Sequence, residues 1–483
     1  MGALGARRVS ELMVAAGLQP IELERYSRSN KIWATKVKRL RLPDLLCVRT
    51  GIRVEVRAKS KLTIKMSDAP TNPDRRWNSG LAPDDVIAFV LIREAGDGTL
   101  HAAHNAELFM VESLIATEGN SKLGPPKPAS EGAERDREWP STVATSGGVV
   151  QAVDETRMSV RLGNGRNQTY QLRGKSAYFA EGEEFHAESQ FLAGFPAAKA
   201  SFPNPDQQRW NPRGLLVSDS PIDRFVAVKA LGVIGNEADC PTITAIAEAD
   251  PEGRVALEAA ASLVRLGDAH GIELLRNAIE NPRVEYLRME SFLALSEFHA
   301  SELARPCAEL LAEYASNEEF AGDELRQAAI WGLGKDGLRD YVRLLVFLDV
   351  PSDEERVHAV CAFGSDMNAE IVDELASVLT NPDSSDRKIA GASYILAKTV
   401  PARLSVPRLV QIRNHPSQRT RHWVVATLGQ MSPTSIRLHV NDADLAAQLV
   451  PFQLTSEETN WTRSDQITEM LTFVRKQTIT PPP

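Results

Sequence analysis

Cysteine is scarce in this chain of 483 residues: Cys47, Cys240, Cys307 and Cys361 lie far apart, and no two form a CxxC pair. That spacing argues against a thiolate zinc centre and a disulfide framework, and it leaves buried thiols as the expectation. Long hydrophobic runs are also missing. The longest obvious one, Val86 to Ile92, is far short of the roughly 20 residues that cross a bilayer and suits a buried strand. No GxxxxGK[ST] motif occurs, which excludes a recognisable P-loop ATPase, and Gly163-Asn164-Gly165 has no third glycine opening a helix, so it reads as a hairpin turn. The start, MGALGARR, is interrupted by Glu11, Gln19 and Pro20 before any secretory apolar core or twin-arginine signal develops. The expectation is a cytoplasmic protein with no membrane partner. His101 and His104 stand three apart after Gly96-Asp97-Gly98 and read as exposed strand residues, not as metal ligands.

A single hydrophobic core stops growing at about 250–300 residues, so this length requires several domains or a repeat array. Hydrophobic residues at 43% and charged residues at 25% describe a folded soluble chain. The charge is unevenly spread. Residues 1–76 hold 17 Lys/Arg and 7 Asp/Glu, a net of +10, so the remainder carries -19 of the total of -9. A basic N-terminal region on an acidic protein points to a polyanion partner.

Composition divides the chain further. Residues 119–137, rich in Gly, Pro, Ser and charge without periodicity, read as a linker. Residues 138–200 alternate apolar and polar, with a hairpin at Asn164-Gly165, and predict a small β-sheet or barrel domain. A second Pro-rich linker spans 201–221. From 222 to 483 a glycine recurs after a large apolar residue: Ile234-Gly235, Leu266-Gly267, Leu333-Gly334, Phe363-Gly364 and Leu428-Gly429. The gaps of 32, 67, 30 and 65 place two degenerate units near His299 and Ala397. Such a unit cannot bury its apolar face alone, so an α-solenoid is expected. This stretch resembles HEAT repeats of the short, glycine-marked kind also seen in bilin-lyase-type proteins. Such arrays mostly bind protein or nucleic acid.

The chemistry-bearing text is residues 7–92. Val9, Leu12, Met13 and Ala16 share one helical face with Glu11 beside it. A basic segment with Lys36, Lys38, Arg39 and Arg41 precedes Pro43-Asp44, and a turn at Thr50-Gly51 leads into a strictly alternating strand. In that strand Ile52, Val54, Val56 and Ala58 face one way, and Arg53, Glu55, Arg57 and Lys59 the other. A hairpin brings Asp44 alongside this charged row. Two carboxylates on adjacent strand ends suit a hard Mg²⁺ ion, and a cation further along the face suits a phosphate or its attacking water.

Pro43-Asp44 followed by Glu55-x-Arg57, with Glu11 upstream, resembles the PD-(D/E)xK nucleases, in style the Holliday-junction resolvases and other restriction-endonuclease-like proteins. The resemblance spans residues 1–118 and implies an α/β fold with a helix and a further strand after the ExK strand. It also implies Asp44 and Glu55 as ligands of Mg²⁺ (or Mn²⁺), Glu11 as a supporting acid, and Arg57 in the place of the family's lysine. Arginine carries no proton because its pKa stays above about 12, so Lys59 on the same face is the substitute. Lys61, Lys65, Arg75 and Arg76 extend the cationic surface for sequence-independent phosphate contacts. Trp33 and Trp77 are stacking candidates, with burial the commoner fate.

The expectation is thus a multidomain chain: a restriction-endonuclease-like domain, a small all-β domain and a HEAT-like α-solenoid. Its function would be metal-dependent DNA cleavage, with the solenoid docking DNA or a protein partner and a homodimer open to it. The alternative is a non-catalytic DNA-binding adaptor that recruits an effector through its repeats.

Overall fold

The computed structural model describes residues 1–23, 40–94, 100–127, 134–206, 210–298, 302–335, 337–364, 366–431 and 436. It divides into two compact units, Met1–Ser262 and Leu263–Pro483.

The first unit opens with helix α1 (Gly2–Ala15) and strands β1 (Pro20–Glu22), β2 (Leu45–Cys47), β3 (Arg53–Lys59), β4 (Ile64–Asp68), β5 (Val86–Glu94), β6 (Leu100–Ala102) and β7 (Glu107–Met110), then helix α2 (Val111–Ala116). The main sheet runs β1-β2-β3-β5-β6, with β7 also on β5. β3 and β5 are parallel, with Val54 opposite Val86 and Lys59 opposite Leu91. The apolar stripe of α1, Val9 and Met13, is fully buried on the sheet face that carries Val54, Val56, Val86, Ala88 and Val90. Gly5 lets the helix ride low, since a Cβ there would lie 3.0 Å from that of Ala58. On the other face Ile87 and Phe89 meet Trp77, Phe109, Trp139 and Phe191. β5 is covered on both sides, which is why it reads as an unbroken apolar run and not as an alternation.

Two expectations change here. The helix foreseen after the charged strand is replaced by β4 and a short 3₁₀ turn, Pro73–Arg75. Ile64 and Met66 are buried while Lys65 and Ser67 are not, the period of a strand. The foreseen linker 119–137 contributes strands β8 (Lys122–Pro126) and β9 (Arg135–Trp139), paired in the order β4-β9-β8. Its charges are matched across the ladder: Lys65 Nζ lies 3.1 Å and Lys127 Nζ 2.7 Å from Asp136. The buried Asp68 accepts from Arg137 Nε at 2.6 Å and from the Trp77 N–H at 3.1 Å.

The small β region holds β10 (Ser141–Val143), β11 (Gly148–Val153), β12 (Arg157–Leu162), β13 (Asn167–Gln171), β14 (Ser176–Ala177), β15 (Glu184–Phe185) and β16 (Phe191–Gly194). These form the sheets β13-β12-β11-β15 and β10-β16-β14. The hairpin at Asn164-Gly165 is present, with Gly165 at φ +82°. Val150, Met158, Val160, Leu172, Phe185 and Leu192 make the core. Phe191 points the other way, its ring centroid 6.3 Å from Phe89 and 5.9 Å from Phe109. Fully burying such an aromatic is worth about 1.5–3 kcal/mol. Phe191 and Trp139 therefore join residues 138–200 to the first sheet in one core, where the sequence had suggested a separate domain.

Helices α3 (Pro221–Ile234), α4 (Cys240–Ala249) and α5 (Gly253–Arg265) begin the repeat region. The second foreseen linker is partly ordered by Trp210, which packs with Leu23, Leu46, Val48, Val226 and Ala230. The second unit continues with α6 (His270–Glu280), α7 (Tyr286–Leu295), α8 (Ala304–Ser316), α9 (Glu324–Gly332), α10 (Tyr341–Phe347), α11 (Asp353–Ala362), α12 (Ala369–Thr380), α13 (Asp386–Lys398), α14 (Ala402–Ile412) and α15 (Gln418–Gly429). α7 and α13 occupy the two degenerate units. The marker glycines close alternate helices for different reasons: at Gly334 a Cβ would lie 2.3 Å from the Ala362 Cα of the next unit, whereas Gly267 has open space and takes φ +87°. The fourth residue of α3, α11 and α15 is an arginine that folds back onto two upstream carbonyls. Arg224 donates to Ser218 and Asp219, Arg356 to Val350 and Pro351, and Arg421 to His415 and Pro416, all within 2.6–3.2 Å. Cys47 and Cys307 are buried thiols, while Cys240 and Cys361 are half-buried. Among the described residues no helix is long and apolar enough to cross a membrane.

Candidate functional site

The tight connection from β2 to β3 builds the site. Gly51 takes φ +75° at its turn, and the strands then pair Leu46 with Arg53 and Leu45 with Val54. Asp44 lies just before β2, one residue beyond the last ladder pair, Leu45 with Val54. Asp44 Oδ2 accepts from the Val56 N–H at 2.7 Å, supplying a ladder bond just beyond the end of β2. Glu55, 12% exposed, is paired with Arg57 Nη2 at 2.9 Å, and the Arg57 Nε is buried without an acceptor.

Lys59 continues the row. Its Nζ donates to the Lys65 carbonyl, and its pKa is lowered to about 8, first by burial and then by the neighbouring cations Arg57 and Lys65. At the other end Arg53 is fixed by two acids, with Nε 2.6 Å from Asp85 and Nη1 2.9 Å from Asp223 of α3. Asp85 also accepts from the Ala82 N–H at 2.7 Å. Burial raises the Asp85 pKa although Arg53 opposes it.

Other sequence-selected residues lie elsewhere. Glu11 is on α1, which packs on the Val54/Val56 face, opposite the charged row, and it pairs with Arg8 at 2.9 Å. It is not brought to Asp44 and Glu55. The cationic surface is largely matched internally: Lys65 pairs with Asp136, Arg75 with Glu134 at 3.4 Å, and Arg76 with Glu118 at 2.5 Å and Asp68 at 3.4 Å. The foreseen linker carries Glu134 and Asp136, whose role becomes visible only once β8 and β9 pair. Arg41 and Lys61 are exposed. Lys36, Lys38 and Arg39, with Arg25, Arg28, Lys31 and Trp33, lie outside the described residues. Trp77 is buried edge-on against Trp139, centroids 5.1 Å apart. In the repeats Arg419 pairs with Asp386 at 2.8 Å and Arg421 caps its own helix, so both serve the repeat packing. His186, which the sequence reads as a solvated-loop residue after the Glu181–Glu184 acidic cluster, is exposed, and its ring lies 4.9 Å from that of His104 beside a cavity of about 380 Å³.

Among the described residues no group of three or more His, Cys, Asp or Glu is placed to hold a metal ion. The donor set of Asp44 and Glu55 fits a narrower requirement. Mg²⁺ is commonly held by one or two carboxylates, the rest of its shell being water and substrate phosphate oxygens.

The fold is therefore a sheet-rich N-terminal region followed by paired helices in a repeat array. Residues 213–296 match the family model for HEAT repeats. Two solved structures are similar in part: an engineered protein from the Northeast Structural Genomics Consortium, at 13% identity and a TM-score of 0.24 over 55% of this chain and 87% of that one, and human deoxyhypusine hydroxylase in complex with glycerol, at 19% identity and a TM-score of 0.21 over 56% and 95%. Likeness at that level bears on neither chemistry nor detailed fold. No curated protein matches the chain.

Proposed function

We propose that the β2–β3 end of the first sheet is a phosphodiester-hydrolysing site acting on DNA with Mg²⁺ or Mn²⁺, and that the HEAT repeats dock DNA or a protein partner. The supporting observation is the bond from the Val56 N–H to Asp44 Oδ2, which sets Asp44 beside the strand that carries Glu55, with Arg57 and Lys59 further along it. Asp44 and Glu55 would hold the ion, which when bound neutralises phosphate charge and makes water a better nucleophile. Arg57, always charged, clamps a phosphate oxygen, and its planar fork suits that geometry. Lys59, with its pKa lowered to about 8, exchanges a proton near neutral pH, which Arg57 does not do. Glu11 has no part in this scheme. The setting would be cytoplasmic defence or recombination and repair, and pairing of two copies would allow both strands to be cut.

One observation favours the adaptor reading: each carboxylate already has a protein partner, Asp44 the Val56 N–H and Glu55 the Arg57 guanidinium. Incubating the protein with supercoiled plasmid separates the two. Nicking in Mg²⁺ that stops in EDTA and falls at least about 100-fold in Glu55→Gln is expected of the nuclease. Salt-sensitive binding with no nick in wild type would leave the adaptor.

A further inference from the structure

We propose that the outer face of the β12–β13 hairpin, with the turns at its two ends, is a second polyanion-binding surface whose occupant is the phosphate backbone of duplex DNA. This surface works without hydrolysis, so it does not rest on the Asp44–Glu55 site.

The register sets which side chains share the face. Val160 and Met158 of β12 point into the core, so Arg157, Ser159 and Arg161 point out. Their partners on β13 are Gln171, Thr169 and Asn167, all exposed. The residues facing outward on these two strands include no carboxylate. Arg157 is engaged by Asp154 at 3.0 Å, just before the strand. Arg161, Arg166 and Arg173 are exposed, and among the described residues none has an acidic partner within 4 Å. Across the sheet from Arg161 lies Glu184 of β15, which pairs with Val149, itself paired with Arg161. Two strand spacings put it about 10 Å from Arg161.

The turns carry further arginines, and the acidic Asp154-Glu155 turn stands at the Arg173 end, where the Leu172 N–H donates to the Thr156 carbonyl at 2.7 Å. Arg166 leaves the Asn164-Gly165 turn, its carbonyl accepting from the Leu162 N–H at 2.8 Å. At the other end of β13, Arg173 takes φ +52° and Gly174 φ +79°, closed by the Lys175 N–H to Leu172 at 3.1 Å. A left-handed arginine is strained, and such positions cluster where a side chain has a task. Here the strain presents a guanidinium at the turn's tip, while the half-buried Lys175 donates to Thr142 Oγ1 at 2.7 Å. From Arg166 to Arg173 is about 23 Å of extended chain, the rise of roughly seven nucleotides of one strand.

The neutral side chains decide the chemistry. Asn, Gln, Ser and Thr between arginines are phosphate-contacting types, and arginine matches phosphate bidentately. The core of a protein interface would instead be enriched in aromatic residues. The ring of Tyr170 packs inward with Met158 and Val160, so the face offers bases no stacking platform, which favours duplex over single strands.

The test is fluorescence anisotropy with a labelled 30-base-pair duplex in EDTA, at several salt concentrations. Wild type is compared with Arg161→Glu/Arg166→Glu/Arg173→Glu, with the equally charged Arg7→Glu/Arg49→Glu/Lys122→Glu, and with Glu55→Gln. The expected result is at least tenfold weaker binding in the first triple only, with its log–log salt slope shallower by about 2.7. Its circular dichroism and unfolding midpoint should stay as wild type, since all three residues are exposed. Equal losses in both triples, no loss in the first, or equal affinity for polyglutamate of matched charge would overturn the proposal, as would no DNA binding by wild type. Loss in Glu55→Gln alone would move the binding to the first site and equally overturn it. Plasmid nicking is a separate readout, so its failure leaves this result standing.

Discussion

Arg53→Ala is expected to lower the stability of the first unit by about 3–5 kcal/mol, the usual cost of breaking a buried ion pair from one side. Arg53 is 11% and Asp85 2% exposed, and the guanidinium spans from Asp85 to Asp223 of α3. Without it two carboxylates lose their counter-charge, one of them buried. The pH dependence gives the cause. Asp85 already has its pKa raised by burial, and without Arg53 it rises further, so in the variant its folded value lies above the unfolded value near 4. A carboxyl shifted that way costs stability once the pH climbs above the unfolded pKa. The deficit against wild type should therefore shrink as pH falls toward about 4 and grow above it. Urea unfolding at several pH values checks this. Adding Asp85→Asn should recover part of the loss, and a deficit that does not vary with pH would point to lost packing instead.

Lys59→Gln is expected to reduce Mg²⁺-dependent DNA cleavage by about 10²–10⁴-fold, the range for a positioned proton-transfer group. In wild type the amine, held to a pKa of about 8 chiefly by burial, is mostly protonated below that pH and mostly neutral above it. If the neutral amine takes a proton from the attacking water, the rate rises about tenfold per pH unit below about 8 and levels off above it. That limb should vanish in both Lys59→Gln and Lys59→Arg. The arginine variant separates the roles, because it keeps the charge and loses the titration. Full activity in Lys59→Arg would reduce Lys59 to an electrostatic role.

Two of the readable patterns in the sequence were periodic. Strict alternation in residues 52–59 gave β3 and the two faces of its sheet, and the recurring glycine gave the repeats because it marks helix ends, by a left-handed turn at Gly267 and by close approach of the next unit at Gly334. Composition misled at 119–137, where charge density suggested a linker. Asp136 and Arg137 of β9 are matched by Lys65 and Asp68 of β4, residues distant in sequence, and no local pattern announces such pairing. The arginine at the fourth position of α3, α11 and α15 was in plain text, but its meaning lies in carbonyls that only the fold presents. At the site the order of Asp44, Glu55, Arg57 and Lys59 was legible because one hairpin carries it. The place of Glu11 was not, since the side of the sheet on which α1 packs is a tertiary choice, and neither was the role of Asp85, contributed by a loop 32 residues from Arg53.

The central claim is that Asp44 and Glu55 together hold one divalent ion. Mn²⁺ titrated into the protein with duplex DNA present, and followed by the electron paramagnetic resonance of the free ion, measures this directly. One ion per chain in wild type, lost in Asp44→Ala/Glu55→Ala while DNA affinity in EDTA is unchanged, is the result predicted. Equal Mn²⁺ uptake by both proteins, or none by either, would contradict it.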